Sequence, residues 1–209
     1  MKFSTGFSKI LARLLKKPSY KFTVKLAPGE RIDGKKVDEL IKRAKKGTRN
    51  LNDTIPKAPN FKYKEFVKSD TAIRKGIDNT PNTEKRWQNM EKLAVNILQP
   101  ARKALGRIRI TSGYRSPELN VAIGGASGSL HCSATAADLE PLEEGISLLD
   151  LLEWIHDNCK FRELIYEWPL DGWIHVAFVE QYNNRKLKLK DKDHNYTVVT
   201  MDYIKGLYG

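Results

Sequence analysis

Hydrophobic and polar positions repeat with two different periods along this chain, and each change of period marks a new element. Phe7, Ile10, Leu11, Leu14 and Leu15 share one helical face with basic residues opposite, until Pro18 ends the stretch. Residues 20–26 alternate as a short strand, and Lys35 to Lys46 reads as a basic helix. Pro56 and Pro59 bracket a boundary. The strongest helical pattern runs from the N-cap residue Thr83 to Leu105, with Trp87, Met90, Leu93, Ala94, Ile97 and Leu98 as its apolar face. Pro100 kinks this helix and Gly106 ends it. Ile108 to Ser112 reads as a strand. Ser116-Pro117-Glu118 then opens a helix with a cap, a fixed first position and an acid in the first turn.

Beyond the glycine-rich segment GGASGS, the pattern predicts a central strand over Ala136 to Leu139 and a helix over Leu148 to His156. Phe161 to Glu167 and Trp173 to Val179 follow as a hairpin. Lys186 to Thr200 alternates again, as a final hairpin with its tip at Asp193, His194 and Asn195. The fold class is therefore α+β: a small antiparallel sheet with flanking helices on one side. Three regions result: a basic N-terminal extension over 1–58, a central domain over 59–180, and a C-terminal hairpin tail over 181–209 that packs on it.

Charge sharpens that division. The chain of 209 residues carries a net +12. Residues 1–60 hold +11 of it, residues 61–180 hold −2, and residues 181–209 hold +3. An arm this basic suits an anionic partner, whether nucleic acid, lipid headgroups or an acidic wall polymer, and equally a solvated extension. Few aromatics interleave its cations, so base stacking is not indicated. No apolar run reaches the length of a membrane span. Lys9, Arg13, Lys16 and Lys17 interrupt the only stretch placed like a signal peptide. Cys132 and Cys159 are too few to staple a chain of this size. A monomer is expected.

The central region concentrates the chemistry. His131 and Asp138 lie in SGSLHCSATAAD, and His175 lies in WIHVAF. Two imidazoles and a carboxylate make a three-ligand zinc site whose fourth position is free for water, as in catalytic rather than structural zinc sites. Cys132 follows His131 directly and is expected to point away from the ion. Glu167 is the candidate general base. It reaches the metal face if it pairs opposite Trp173 across a five-residue loop, Trp168 to Gly172; a four-residue loop would turn it away. Asp171 is the rival carboxylate, in a turn-like stretch where Asp is common. Arg115 could hold a polarised carbonyl oxygen or a substrate carboxylate through its planar fork. Ser129 could add a hydrogen bond to substrate. His156 and His194 read as ordinary surface residues.

In order, SGYRSPELN, IGG, SxHxxxxxxD and WIHVAF resemble the D-alanyl-D-alanine carboxypeptidase family of zinc peptidases over residues 60–180. That family includes phage endolysins that cut peptidoglycan peptides, and the hedgehog signalling domain shares its fold. The resemblance implies zinc held by His131, Asp138 and His175, Glu167 as base, and Arg115 and Ser129 facing the substrate. It implies hydrolysis of peptidoglycan stem peptides at the cell wall by a bacterial or phage-encoded enzyme, released by a route other than a signal peptide. A non-catalytic virion protein, or one binding cell wall or nucleic acid and stabilised by zinc, is the alternative. Two positions depart from the family pattern. Ala134 stands where the family has glycine, which matters if the backbone there needs positive φ. Gly172 stands where several relatives place an acid.

Overall fold

A computed structural model describes residues 49–169, 171–181 and 185–208. The amphipathic stretch at the N-terminus, the 20–26 strand, the Lys35 to Lys46 helix and most of the basic arm lie outside the described residues.

The folded unit begins earlier than the two prolines suggest. Strand β1 (Thr54–Ile55) pairs with β2 (Ala58–Lys62), and Pro56 and Lys57 form the turn between them. Ile55 and Ala58 are fully buried, and Arg49 reaches Glu84 at 2.7 Å and Glu91 at 3.0 Å. Residues 49–58 therefore belong with the domain, not with the extension; the prolines signal a hairpin corner. Two short helices follow, α1 (Tyr63–Val67) and α2 (Asp70–Lys75).

The long helical pattern forms as one rod in three parts: α3 (Glu84–Leu93), a π-helical turn (Ala94–Leu98) and α4 (Gln99–Leu105). Thr83 caps it through Arg86 N–H. Pro100 has no N–H, and its ring crowds the carbonyl four residues back. The wide turn just before it absorbs that conflict, with Gln99 N–H reaching back to Ala94 O. All six apolar-face residues, Trp87 to Leu98, are fully buried.

Strands β3 (Ile108–Ser112), β4 (Ala136–Pro141), β5 (Glu163–Glu167), β6 (Trp173–Ala177), β7 (Lys186–Lys190) and β8 (Tyr196–Val198) form one sheet in the order β3-β4-β6-β5-β7-β8. Helix α5 (Pro117–Ala122) is capped by Ser116 as the sequence predicts. Helix α6 (Leu148–Asn158) opens on a Ser147–Asp150 capping box and packs against β4, β5 and β6. Ala137, Leu139, Ile174, Val176, Leu164, Tyr166 and Leu187 fill the helix-covered face of the sheet. The alternate residues Asp138, His175, Glu163, Ile165 and Glu167 occupy the other face.

The tail differs from a simple appended hairpin. Strand β7 inserts beside β5 in parallel register, Glu163 opposite Lys186 and Glu167 opposite Lys190. It does so without a long crossover, because the chain leaves β6 at the end where β5 begins. Arg162 N–H donates to Ala177 O there, and Lys186 N–H donates to Arg162 O. Strand β8 returns antiparallel from a turn over residues 191–195, and helix α7 (Met201–Tyr208), which the alternating pattern did not announce, buries Met201 and Ile204. Among the described residues no helix is long and apolar enough to cross a membrane.

Candidate metal centre

Asp138 and His175 face each other directly on neighbouring strands β4 and β6. His131 comes from a 3-10 turn, Leu130–Ser133, that ends on Ala134 in the left-handed region at φ 58°, ψ 30°. The site thus does need positive φ where the family has glycine, and alanine accepts the strain. Ala134 N–H closes the turn on His131 O at 3.0 Å.

Three atoms converge. His131 Nε2 lies 3.2 Å from His175 Nδ1, His175 Nδ1 lies 2.8 Å from Asp138 Oδ1, and Asp138 Oδ1 lies 3.3 Å from His131 Nε2. A tetrahedral zinc with bonds of ~2.0–2.1 Å requires ligand edges of roughly 3.3 Å. The triangle fits such an ion with little adjustment, and the donor set of two imidazoles and a carboxylate is one zinc favours. Among the described residues, these three form the group of side chains able to share a metal, and all three are buried.

The surrounding contacts fix how each ligand is presented. His131 Nδ1 donates to Gly113 O at 2.6 Å, so the proton sits on Nδ1 and the Nε2 lone pair is turned toward His175 and Asp138. Gly113 is required for this: a Cβ there would lie 2.5 Å from Phe66 O. Arg115 Nη2 donates to Asp138 Oδ2 at 2.9 Å and its Nε donates to Ser112 Oγ at 3.0 Å. One carboxylate oxygen of Asp138 is thereby held by guanidinium and the other left for metal. Buried Asn79 braces the same turn, donating to Val67 O and Tyr114 O and accepting from Ser116 N–H. His175 Nε2 faces Glu163 Oε1 at 3.8 Å.

Electrostatics follow from this packing. Burial pushes the Asp138 carboxyl up, but the charges and hydrogen bonds of His131 and His175 outweigh it and hold the group well below the carboxylate range. For His175 burial acts downward. The hydrogen bond and charge of Asp138, with Glu163 and Glu167 adding to them, raise it above the ordinary imidazole value.

Glu167 pairs opposite Trp173 across the five-residue loop, which puts it on the metal face, and it is 6% exposed. Gly172 cannot carry the acid some relatives have, since a Cβ there would sit 1.8 Å from Glu167 O. Asp171 is exposed in the turn. Ser129 is half-buried just before the His131 turn and makes no capping bond with its side chain. Cys132 stays outside the converging group, and burial pushes its thiol up. His156 bonds Asp157, and the His194 ring lies 5.5 Å from that of Trp168. Ser112, Gly113, Asn79 and Glu163 escaped the sequence reading. Only Glu163 had a usable signal, its same-face spacing from Glu167.

Residues 59–177, more than half of the chain, match the family model for peptidase M15. The chain belongs to the peptidase M15 family. M15 peptidases are zinc-dependent, so the chain is a metallopeptidase, and the His131, Asp138 and His175 group is its metal-capable centre. No curated protein matches the chain at a significant level.

Proposed function

We propose that this M15 peptidase hydrolyses peptide bonds in the stem peptides of bacterial peptidoglycan, as an endolysin-like endopeptidase or a D,D-carboxypeptidase. The observation that carries the reading is the three-atom convergence of His131 Nε2, Asp138 Oδ1 and His175 Nδ1, with every edge at 3.3 Å or less. A zinc kept only for stability would want a fourth protein ligand, and the converging group has three.

His131, Asp138 and His175 would hold the ion. Bound zinc supplies Lewis acidity toward water and toward a peptide carbonyl. Glu167 takes the proton of the attacking water and returns it to the leaving amine. Arg115 holds Asp138 in the orientation its ligand role needs, and its partly exposed fork presents cationic charge to a substrate carboxylate or carbonyl oxygen. Ser129, which precedes the His131 turn, offers a hydroxyl for a further hydrogen bond to substrate. The basic N-terminal residues keep the enzyme near anionic wall polymers or membrane, at the cell wall of a bacterium or of a phage's host.

The test uses the full zinc-loaded chain and a disaccharide carrying a pentapeptide stem that ends in D-alanyl-D-alanine, with products read by mass spectrometry. Loss of a terminal alanine marks a carboxypeptidase, and an internal cut marks an endopeptidase. An intact stem after prolonged incubation, with zinc bound, removes the peptidoglycan reading.

A further inference from the structure

Strand β7 lies beyond residues 59–177, outside the span that matches the family. Its parallel register nonetheless places alternate lysines on the metal face of the sheet. Lys190 stands opposite Glu167, and its ammonium donates to Glu167 Oε2 at 2.8 Å. The two side chains are only 13% and 8% exposed. One row away, Lys188 meets Glu163 at 2.7 Å. The Lys190 ammonium also lies 4.8 Å from the Trp168 ring and 5.1 Å from the Tyr196 ring, so aromatic walls from the loop and from β8 keep it in place.

We infer that Lys190, supplied by the C-terminal hairpin, is the positioning residue for Glu167, and that this hairpin is therefore part of the catalytic unit. The inference rests on the reading of Glu167 as base. A buried carboxylate in direct contact with an ammonium depends on that partner for its place. One oxygen of Glu167 is taken by the ammonium, which fixes the rotamer and leaves the other oxygen to meet water. The parallel register matters: shifting β7 by one residue would turn Lys190 to the helix-covered face and bring Leu189 to the carboxylate. Lys190 touches neither water nor substrate in this role, so it acts through Glu167 alone.

The experiment compares Lys190→Met, Lys190→Arg and Lys186→Met in the full zinc-loaded chain. Lys186→Met removes the same charge from an exposed site on the same strand. Lys190→Met is expected to lower kcat on the pentapeptide stem at least ~10-fold with KM within about twofold, at unchanged zinc content. Lys190→Arg recovers most of the loss, and Lys186→Met matches the parent. A crystal structure of zinc-loaded Lys190→Met should show Glu167 rotated away from the position Lys190→Arg preserves. Should Lys190→Met fail to fold, Lys190→Gln carries the same comparison. Parental kcat in Lys190→Met, or an unmoved Glu167 in its crystals, overturns the inference while leaving the base intact. An active Glu167→Gln removes base and positioning residue together. If the parent cleaves no stem, the substrate reading fails and the crystallographic arm alone decides the role of Lys190.

Discussion

On one side of the metal face, Asp138 and His175 stand on β4 and β6 and are gripped by Arg115, by Glu163 and by each other, while Gly113 O fixes His131. On the other side, Glu163 and Glu167 stand on β5 and are gripped by lysines from β7. The first set lies wholly inside the family span, and its supports include two backbone-determined features, the Gly113 carbonyl and the Ala134 turn. The second set depends on a strand from outside that span. In the proposed reading, metal holding and proton transfer thus draw on different supports on one sheet face, and Glu163 touches both.

The sharpest break is His175→Ala, which removes one corner of the triangle. Stoichiometric zinc binding and activity should both vanish in metal analysis and peptide assay; retained zinc would deny that the three residues share an ion. Glu167→Gln should do the converse. Zinc content stays and kcat falls by about 10²–10⁴, while the melting temperature drops because Lys190 loses its buried counter-charge. Equal loss of zinc would mean that the two sides are not separable. Glu163→Gln lies on the border, since Glu163 faces both His175 and Lys188. A drop of roughly 10–100-fold in zinc affinity is expected by chelator competition, as for other partners of ligating histidines.

Acidity offers a gentler probe. Because Asp138 raises the proton affinity of His175, zinc must displace a proton from His175 below that raised value. Affinity should therefore fall as pH falls, by about tenfold per unit for one proton, across the range in which imidazole titrates. Calorimetry in buffers of different ionisation enthalpy should show the proton released. An affinity flat over that range would place the zinc elsewhere.

The smallest effect concerns Ala134. A left-handed alanine costs ~1–2 kcal/mol, and glycine would relieve it at an unfolded-state cost of ~0.4–1 kcal/mol. Ala134→Gly should thus raise stability by between zero and about 1.6 kcal/mol. Ala134→Val, β-branched at a buried positive-φ position, should lower it by at least ~2 kcal/mol. Similar melting curves for the two variants would contradict the φ argument.

What could be read from the sequence was local or periodic. The 3.6-residue stripe from Trp87 to Leu98 specifies the buried rod, and alternation in ELIYE and WIHVA places Glu167 and His175 on one face once the loop has five residues. Spacing in SLHCSATAAD marks His131 and Asp138, although nothing local says that His131 would be fixed by a carbonyl eighteen residues away. Alternation in KLKLK shows a strand but not its neighbour. Its pairing with β5 depends on β6 ending where β5 begins, a three-dimensional fact. The same holds for Gly172: the missing acid is visible in the sequence, while its reason, a carbonyl of Glu167 in the way, is not.

Every role assigned above requires that one zinc ion be shared by His131, Asp138 and His175. Anomalous diffraction at the zinc edge, on crystals of the zinc-loaded full chain, would locate that ion. A single peak bounded by His131 Nε2, Asp138 Oδ1 and His175 Nδ1 is predicted. A peak on Cys132 or at a surface histidine such as His194, with the triangle empty, would contradict it.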